Sequence, residues 1–241
     1  MKIRFLSLLC LLALALPGGA ESLPPVKAVL FPFREAVISA RIDSTLESCG
    51  FQPGEAFESG AVLARLDDRR FALDEKRSVE QFEYAKAVYE DQKKLHDQNF
   101  TSDFELKKRE FEFRVAESSL AEARLNLSYC TIEAPFAGRV EELLTREFET
   151  VRAGQPLFRI IDDNRLLAVM NIPVSRLPEY PPGAEVTILL PENKLVASGK
   201  IHEIMPRADH RSGTIQIKAL VENPKRLFTA GMTGELADAR K

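Results

Sequence analysis

The fold is decided by the stretch Glu149-Thr150-Val151-Arg152-Ala153-Gly154-Gln155-Pro156-Leu157-Phe158-Arg159-Ile160-Ile161-Asp162, because residues 54–67 are a weak copy of it. Aligning Gly60 with Gly154 also pairs apolar residues of the two segments: Phe57 with Val151, Leu63 with Leu157, and Leu66 with Ile160 or Ile161. Two similar segments on either side of a long insertion predict two half-motifs that fold together into one β-domain.

The insertion, residues 69–129, has the composition of a helical segment. It contains no Gly or Pro and is rich in Glu, Lys, Arg, Ala and Leu, which favour helices. Candidate seam residues, mostly apolar, recur in both halves: Phe82, Ala85, Tyr89, Gln92 and Leu95 by threes and fours, and Leu106, Phe113, Leu120 and Leu127 by sevens. The polar residues 97–103 between them include N-cap candidates. We therefore predict two antiparallel helices of about 28 residues in a projecting coiled coil.

An alternative interpretation is a pair of amphipathic helices packed on a globular core. The narrow apolar stripe argues against it, since a core-facing helix shows a wider apolar face.

The remaining residues favour short strands and turns. Before the insertion, strands are predicted at residues 29–33, 36–42 and 61–66. After residue 162, five strand candidates predict a small β-barrel, with one helical turn at residues 175–179; the strands are at residues 166–172, 185–190, 197–204, 214–221 and 233–237.

The N-terminus predicts export. Lys2 and Arg4 precede an apolar run at residues 5–16 and then small residues at 17–20, which is typical of a signal peptide cleaved after Ala20. The alternative, an uncleaved anchor, is disfavoured because a membrane span needs about 20 apolar residues. Beyond this segment the cysteines are Cys49 and Cys130. An exported chain favours disulfides, but two buried free thiols fit the sequence as well.

Three segments together resemble the membrane fusion protein, or HlyD-like periplasmic adaptor, family. Residues 132–140 (IEAPFAGRV) are similar to the start of the second half of that family's lipoyl-like domain, and residues 151–158 (VRAGQPLF) to its turn and strand. Residues 221–224 (VENP), with Leu227 and residues 230–232 (AGM), resemble the end of its barrel.

The resemblance implies a mostly β, elongated protein in which an α-helical coiled-coil hairpin is inserted into a lipoyl-like β-domain that is followed by a small β-barrel. The implied division is: signal peptide 1–20, N-terminal strand region 21–35, lipoyl-like half 1 at 36–68, helical hairpin 69–129, lipoyl-like half 2 at 130–162, and β-barrel 163–241.

The resemblance also implies a function. The protein is expected to be a periplasmic adaptor, peripheral to the inner membrane, that links an inner-membrane transporter of RND or ABC type to an outer-membrane channel. It is expected to form a homo-oligomer ring. Because the chain ends at Lys241, soon after the last predicted strand, the membrane-proximal domain of many members is expected to be missing or minimal. Transporter contact would then come from the barrel or the N-terminal stretch.

The tip of the hairpin is the expected docking site. Adaptors of this family carry Arg, then Leu four residues on, then Ser seven further. Placing Leu95 on the Leu puts Ser102 on the Ser and Asp91 on the Arg. Asp91 therefore reverses a charge and implies a partner of matched charge. The alternative is that Leu95 belongs to the helix seam and Ser102 is only a helix cap.

The half-motif turns are expected to be structural. Turns with positive φ are predicted at Gly54, Gly60, Gly138 and Gly154, and Pro135 is expected to fix the entry to a hairpin. None of these residues is assigned chemistry.

Other functions are disfavoured. A biotin or lipoyl carrier presents a Lys on a tight turn between the two halves, where this chain has its helical insertion, so we expect no cofactor. His96, His202 and His210 are far apart and form no metal or catalytic motif, so we expect no enzyme. The net charge of −3 argues against nucleic acid binding. A coiled-coil envelope scaffold without a transport role remains the main alternative.

Overall fold

A computed structural model of the chain describes residues 25–191 and 194–237. The predicted signal peptide, residues 1–20, lies outside this range. The elements in chain order are β1 Lys27–Ser39, β2 Ser44–Cys49, β3 Ala56–Phe57, β4 Val62–Leu66, α1 Arg69–Asp97, α2 Asp103–Ser128, β5 Thr131–Glu133, β6 Gly138–Leu143, β7 Thr150–Val151, β8 Pro156–Pro173, a 3-10 helix Val174–Glu179, β9 Glu185–Leu190, β10 Leu195–Asp209, β11 Thr214–Glu222 and β12 Thr233–Leu236.

The two helices form the predicted helical pair between the two halves of the β-domain. Phe113 of α2 lies between two aromatic side chains of α1, with ring centroids 5.5 Å from Phe82 and 5.6 Å from Tyr89. The Arg124 Nε atom of α2 lies 3.2 Å from the Glu75 Oε1 atom of α1. The pair is hereafter called the helical hairpin; its coiled-coil character stays a prediction.

The two similar segments meet in one hydrophobic core. β4 pairs with β5 across the hairpin insertion, β2 pairs with β7, and β3 pairs with β6. The residues that align in the repeat are all buried in this core: Phe57 with Val151, Leu63 with Leu157, and Leu66 with Ile160. Each copy of the repeated sequence therefore forms half of the strands, and the two halves pair with each other to make one domain. This is the arrangement that a lipoyl-like domain requires.

A second core lies inside a closed barrel. The strand order is β1-β12-β9-β10-β11-β8, and pairing of β1 with β8 closes it. The five strand candidates after residue 162 are therefore joined by β1, whose Ala28 and Leu30 are fully buried in the barrel core. The sequence analysis predicted a strand at residues 29–33 but did not assign it to the barrel.

Two long strands connect the barrel to the lipoyl-like half-motifs and correct the sequence-based strand ends. Residues 29–33 and 36–42, predicted as separate strands, largely belong to the single strand β1. β8 runs through the boundary predicted between residues 162 and 163. Pro32 pairs with Leu166, and Arg34 pairs with Asp162. Three residues of β8 therefore face one residue of β1, and this bulge (residues 163–165) lies between the two cores.

Within the described residues, Cys49 and Cys130 are both free thiols. Cys49 of β2 pairs with Ala64 of β4, whereas Cys130 immediately precedes β5 on the other side of β4. Strands two places apart in a sheet are separated by about 9.6 Å, and a disulfide needs Cα atoms closer than about 7 Å. Of the two alternatives left by the sequence, the structure therefore supports separate thiols.

Candidate functional site at the hairpin tip

The turn between α1 and α2 is held by backbone hydrogen bonds. The amide of Asn99 donates to the oxygen of His96 at 2.8 Å, and that of Phe100 donates to the oxygen of Leu95 at 2.9 Å. Asn99 has a φ of 64°, a left-handed conformation that Asn tolerates better than most residues. Ser102 caps α2 by accepting a hydrogen bond from the Glu105 amide at 3.3 Å. The turn therefore has a defined backbone.

Side chains also join the two helices at this turn. His96 Nε2 lies 2.6 Å from Asp103 Oδ1, and Gln92 Nε2 donates to Thr101 Oγ1 at 2.5 Å. The bond with His96 lowers the pKa of the Asp103 carboxyl below its ordinary value. These contacts tie the last turn of α1 to the start of α2 and stiffen the tip.

The predicted docking residues lie near this turn, with their side chains toward solvent. Asp91 is exposed and forms an ion pair with Lys94 of its own helix at 2.9 Å. Leu95 is 45% exposed, whereas the neighbouring His96 is half-buried and continues the helix seam after Gln92. Ser102 is exposed as well as capping. Of the two alternatives for Leu95, the helix seam and the exposed surface, the structure places it on the exposed surface.

Two further residues at the tip were missed by the sequence analysis. Phe100 is 76% exposed and Phe104 is 73% exposed. The sequence analysis classified the turn as polar. The aromatic residue Phe100 within that polar turn was the signal that could have revealed them. Exposed aromatic side chains supply large contact areas at interfaces, so Phe100 and Phe104 are candidate anchors beside Leu95.

The turn glycines of the two half-motifs occupy equivalent places. Gly60 and Gly154 have φ values of +80° and +86°, and their amides donate to the oxygens of Ala134 and Ala40, both at 2.8 Å. Gly54 also has a positive φ, of +87°.

The structure corrects the prediction for Gly138. It is the first residue of β6 and is absent from the glycines with positive φ. A Cβ atom there would approach the Ile161 backbone oxygen to 2.2 Å, so close strand contact requires this glycine. Pro135 lies in the bend between β5 and β6.

Comparisons with known proteins find a matching barrel domain and similar full-length proteins. Residues 168–240 match the model of the CusB-like β-barrel domain. The chain is 26% identical over 221 residues to nodulation protein NolF of Rhizobium meliloti (strain 1021), covering 84% of the chain and 59% of that protein. It is 24% identical over 213 residues to multidrug resistance protein MdtA of Yersinia pestis (strain Pestoides F), covering 77% of the chain and 48% of that protein. The chain therefore spans about half to three fifths of the length of these two relatives.

Solved structures show the same fold. A MacA–MexA chimeric protein containing the Pseudomonas aeruginosa MexA α-hairpin domain superposes with a TM-score of 0.75 at 20% identity, covering 88% of this chain and 79% of that one. The membrane fusion protein Spr0693 of Streptococcus pneumoniae R6 gives 0.69 at 13% identity, covering 89% and 98%. The chain is similar to these proteins, in agreement with the resemblance of its sequence to the membrane fusion protein family.

A second polar cluster lies at the β8 bulge. The Asp163 carboxylate, 13% exposed, lies 3.1 Å from the Arg139 Nε atom of β6 and 3.3 Å from the Arg226 Nε atom of the loop after β11. The Arg165 guanidinium stacks 3.9 Å from the Phe33 ring centroid. This polar belt joins residues that flank the two cores, and we call it the waist.

In residues 25–191 and 194–237, no group of three His, Cys, Asp or Glu side chains is placed to hold a metal ion. Within the same ranges, no helix has the length and apolar character needed to cross a membrane.

Proposed function

We propose that this protein is the periplasmic adaptor of an export pump, linking an inner-membrane transporter to an outer-membrane channel. The observation that carries the proposal is a stiffened hairpin tip that exposes Leu95, Phe100 and Phe104. The hairpin is inserted into a β-domain whose two halves are completed by each other. Large exposed apolar side chains on a rigid turn are typical of a docking surface.

The tip provides both the affinity and the selectivity in this proposal. Burying Leu95, Phe100 and Phe104 against a channel supplies the apolar contact area. Asp91, where adaptors of the family carry Arg, selects against an acidic channel surface, since like charges across an interface are strongly unfavourable. Its pairing with Lys94 lowers the local charge and leaves the apolar groups to dominate.

The remaining parts of the proposal follow from the family resemblance of the sequence. We divide the chain as the resemblance implied, into signal peptide, lipoyl-like halves, hairpin and barrel. The protein is exported to the periplasm, lies peripheral to the inner membrane and assembles into a homo-oligomer ring. The barrel contacts a transporter of RND or ABC type through exposed turns such as residues 209–213.

The test is site-specific photo-crosslinking in living cells. A photoreactive residue at Ser102 is expected to capture an outer-membrane channel protein, and one at Arg211 to capture the transporter. Ser128, exposed at the root of α2, is the matched control and should not capture the channel. Capture at Arg211 alone would retain the pump and remove the tip assignment. If neither probe captured a transport component, the envelope scaffold would replace the adaptor.

A further inference from the structure

The waist places one carboxylate between the barrel and the lipoyl-like domain. β1 and β8 both run from one into the other, and the β8 bulge at residues 163–165 lies where they cross. The Asp163 side chain at this bulge is 13% exposed. It is within ion-pair distance of Arg139 on the lipoyl-like side and of Arg226 on the barrel side. Asp163 is therefore shared by the two parts of the protein.

The backbone of the bulge is attached to the barrel. The Asn223 backbone amide donates to the Asn164 oxygen at 2.7 Å, and the Asn223 side chain donates to the Asp163 oxygen at 2.8 Å. Asn223 directly follows the barrel strand β11. These bonds make Asp163 a part of the barrel, and its carboxylate is the group that extends to Arg139 of the other domain.

Arg139 is fixed in the lipoyl-like domain. It is the second residue of β6, where it pairs with Ile161 of β8 and with Ala56 of β3. Two neighbouring strands therefore hold its backbone. The 3.1 Å contact between Arg139 Nε and Asp163 Oδ2 joins that held backbone to the barrel.

Arg226 holds the other side of the Asp163 carboxylate from a strained backbone. Its φ is 51°, a left-handed conformation that residues other than Gly seldom adopt, and its amide donates to the Asn223 oxygen at 2.9 Å. The Arg226 Nε atom lies 3.3 Å from Asp163 Oδ1. A strained residue directed at a largely buried charge indicates a contact with a functional role.

The two ion pairs depend on charge rather than on aligned hydrogen bonds. Within the described residues, the buried atoms Arg139 Nε, Arg226 Nε and Asp163 Oδ1 have no hydrogen-bond partner, although the two nitrogens lie 3.1 and 3.3 Å from the carboxylate. The contacts are therefore poorly directed, and attraction between opposite charges at low exposure remains. A lysine at position 139 should then hold the carboxylate, whereas a neutral side chain should not.

We propose that the Arg139–Asp163 ion pair fixes the angle between the barrel and the lipoyl-like domain, and thereby aims the helical hairpin. The buried residues of the two helices are Phe71 and Leu120, so most of the hairpin stands free of the β-domain. Its α1 helix of 29 residues is about 40 Å long, and a rotation of about 10° at the waist moves the tip by about 7 Å or more. Arg139 and Asp163 are thus positioning residues for a tip that they do not touch.

Pulsed electron paramagnetic resonance on the isolated full-length chain tests the angle. Spin labels at Ser198→Cys, exposed on β10 of the barrel, and at Lys76→Cys, exposed near the root of α1, report the distance across the waist. The wild-type waist is expected to give one narrow distribution of distances. Arg139→Gln and Asp163→Asn are each expected to broaden it by several ångströms, whereas Arg139→Lys keeps it narrow.

Two controls separate the angle from general stability. Glu142→Gln is the matched variant, because Glu142 pairs with Arg159 at 3.1 Å between the same strands β6 and β8 but inside the lipoyl-like domain. It should leave the distribution unchanged. A second pair of labels within the barrel, at Asn171→Cys and Ser198→Cys, should give the same distance in every variant and so shows that the barrel is folded.

Two results would overturn the proposal. One is an unchanged distribution in both neutral variants. The other is a distribution for Arg139→Lys as broad as that for Arg139→Gln, because the contact would then not act through charge. Labelling of the chain without added cysteines gives the background from Cys49 and Cys130, which is subtracted.

The angle is measured without any partner, so the outcome is independent of the proposed adaptor function. In cells, Arg139→Gln is expected to reduce capture of the channel by the Ser102 probe several-fold, and Arg139→Lys to retain it. A broadened angle with full capture would overturn the aiming of the tip. If the Ser102 probe captured no channel in the wild type, the docking function would fail, and the distance measurement would still decide whether Asp163 fixes the angle.

Discussion

The side-chain amide of Asn223 donates a 2.8 Å hydrogen bond to the backbone oxygen of Asp163. The same amide group donates to the Phe228 oxygen at 2.8 Å, and the Asn223 side-chain oxygen accepts from the Phe228 amide at 3.1 Å. Asn223 thereby fixes the loop after β11 to the bulge of β8, beside the ion pairs of Asp163. One residue of the family-like motif of residues 221–224 thus binds the barrel to the waist.

Removing this amide is expected to destabilise the protein. Asn223 is 2% exposed, and Asn223→Ala leaves three partly buried backbone groups, of Asp163 and Phe228, without these bonds. The expected loss is about 2–4 kcal/mol in the free energy of unfolding, measured by urea denaturation. Asn171→Ala, at an exposed position of β8, should change it by less than about 0.5 kcal/mol. Equal losses for the two variants would contradict the role of Asn223.

Two glycines are expected to differ in their tolerance of alanine. At Gly138 the added Cβ would approach the Ile161 backbone oxygen to 2.2 Å, and since a strand must move to relieve this, we expect a loss of at least about 2 kcal/mol. At Gly54 the Cβ meets nothing within 4 Å, and only the φ of +87° opposes alanine, at about 1 kcal/mol. Urea denaturation of both variants gives the ranking; the reverse order would refute it.

Two phenylalanines of α2, Phe111 and Phe113, should differ in their effect on the stability of the hairpin. Phe113→Ala removes the ring between Phe82 and Tyr89 and is expected to cost about 2 kcal/mol, seen as faster hydrogen exchange in the hairpin. Phe111→Ala, on the exposed face, is the matched control and should leave that exchange unchanged. Slower or unchanged exchange in Phe113→Ala would argue against a packed seam.

The thiols should be unreactive in the folded protein. Burial raises the pKa of Cys130 to about 11, and burial together with the Glu147 carboxylate raises that of Cys49. For Cys130 at pH 8, about one thiol in a thousand is then the reactive thiolate. Alkylation followed by mass measurement should show slow labelling that accelerates toward pH 11, and rapid labelling of both in denaturant. A mass that shifts only after reduction would instead reveal a disulfide.

Acid should weaken the tip through Asp103. The hydrogen bond with His96 lowers the pKa of this carboxyl in the folded protein. Such a group stabilises the fold above its unfolded pKa, near 3.9, and its contribution is lost as the pH falls through the lower folded value. Asp103→Asn should therefore be less stable than the wild type at pH 6, with a difference that shrinks toward pH 3. A difference that grows toward acid would show that the sign is wrong.

Local signals predicted the hairpin well. Its helices end within a few residues of the predicted positions, because helix ends depend on nearby residues. Ser102 caps the start of α2, and no Gly or Pro interrupts either helix. The strand ends were harder to predict, because β1 and β8 owe their length to pairing with each other, and the two strands are far apart in the sequence. The waist could not be anticipated, because the sequence motif around Asn223 does not say which carbonyl it would meet.

At the tip, periodicity alone was insufficient. Leu95 and His96 both fit a spacing of three or four from Gln92, and hydrophobicity favoured Leu95 for the seam. The structure places His96 there because Asp103 of α2 is within hydrogen-bonding distance. The polar contact between His96 and Asp103 therefore determines which residue lies in the seam, although the apolar pattern favoured Leu95.

Because the helical hairpin is inserted between the two halves of the β-domain, the length of the hairpin can change without changing the strand pairs that stabilise the domain. β4 and β5 pair next to the root of the hairpin, with Arg65 opposite Thr131, and need only that the two helices return to the same place. Seven residues added to each helix would lengthen the arm by about 10 Å while leaving every strand pair intact. The distance spanned by such an arm is therefore adjustable by insertion and deletion in matched steps, without redesign of the β-domain that carries it.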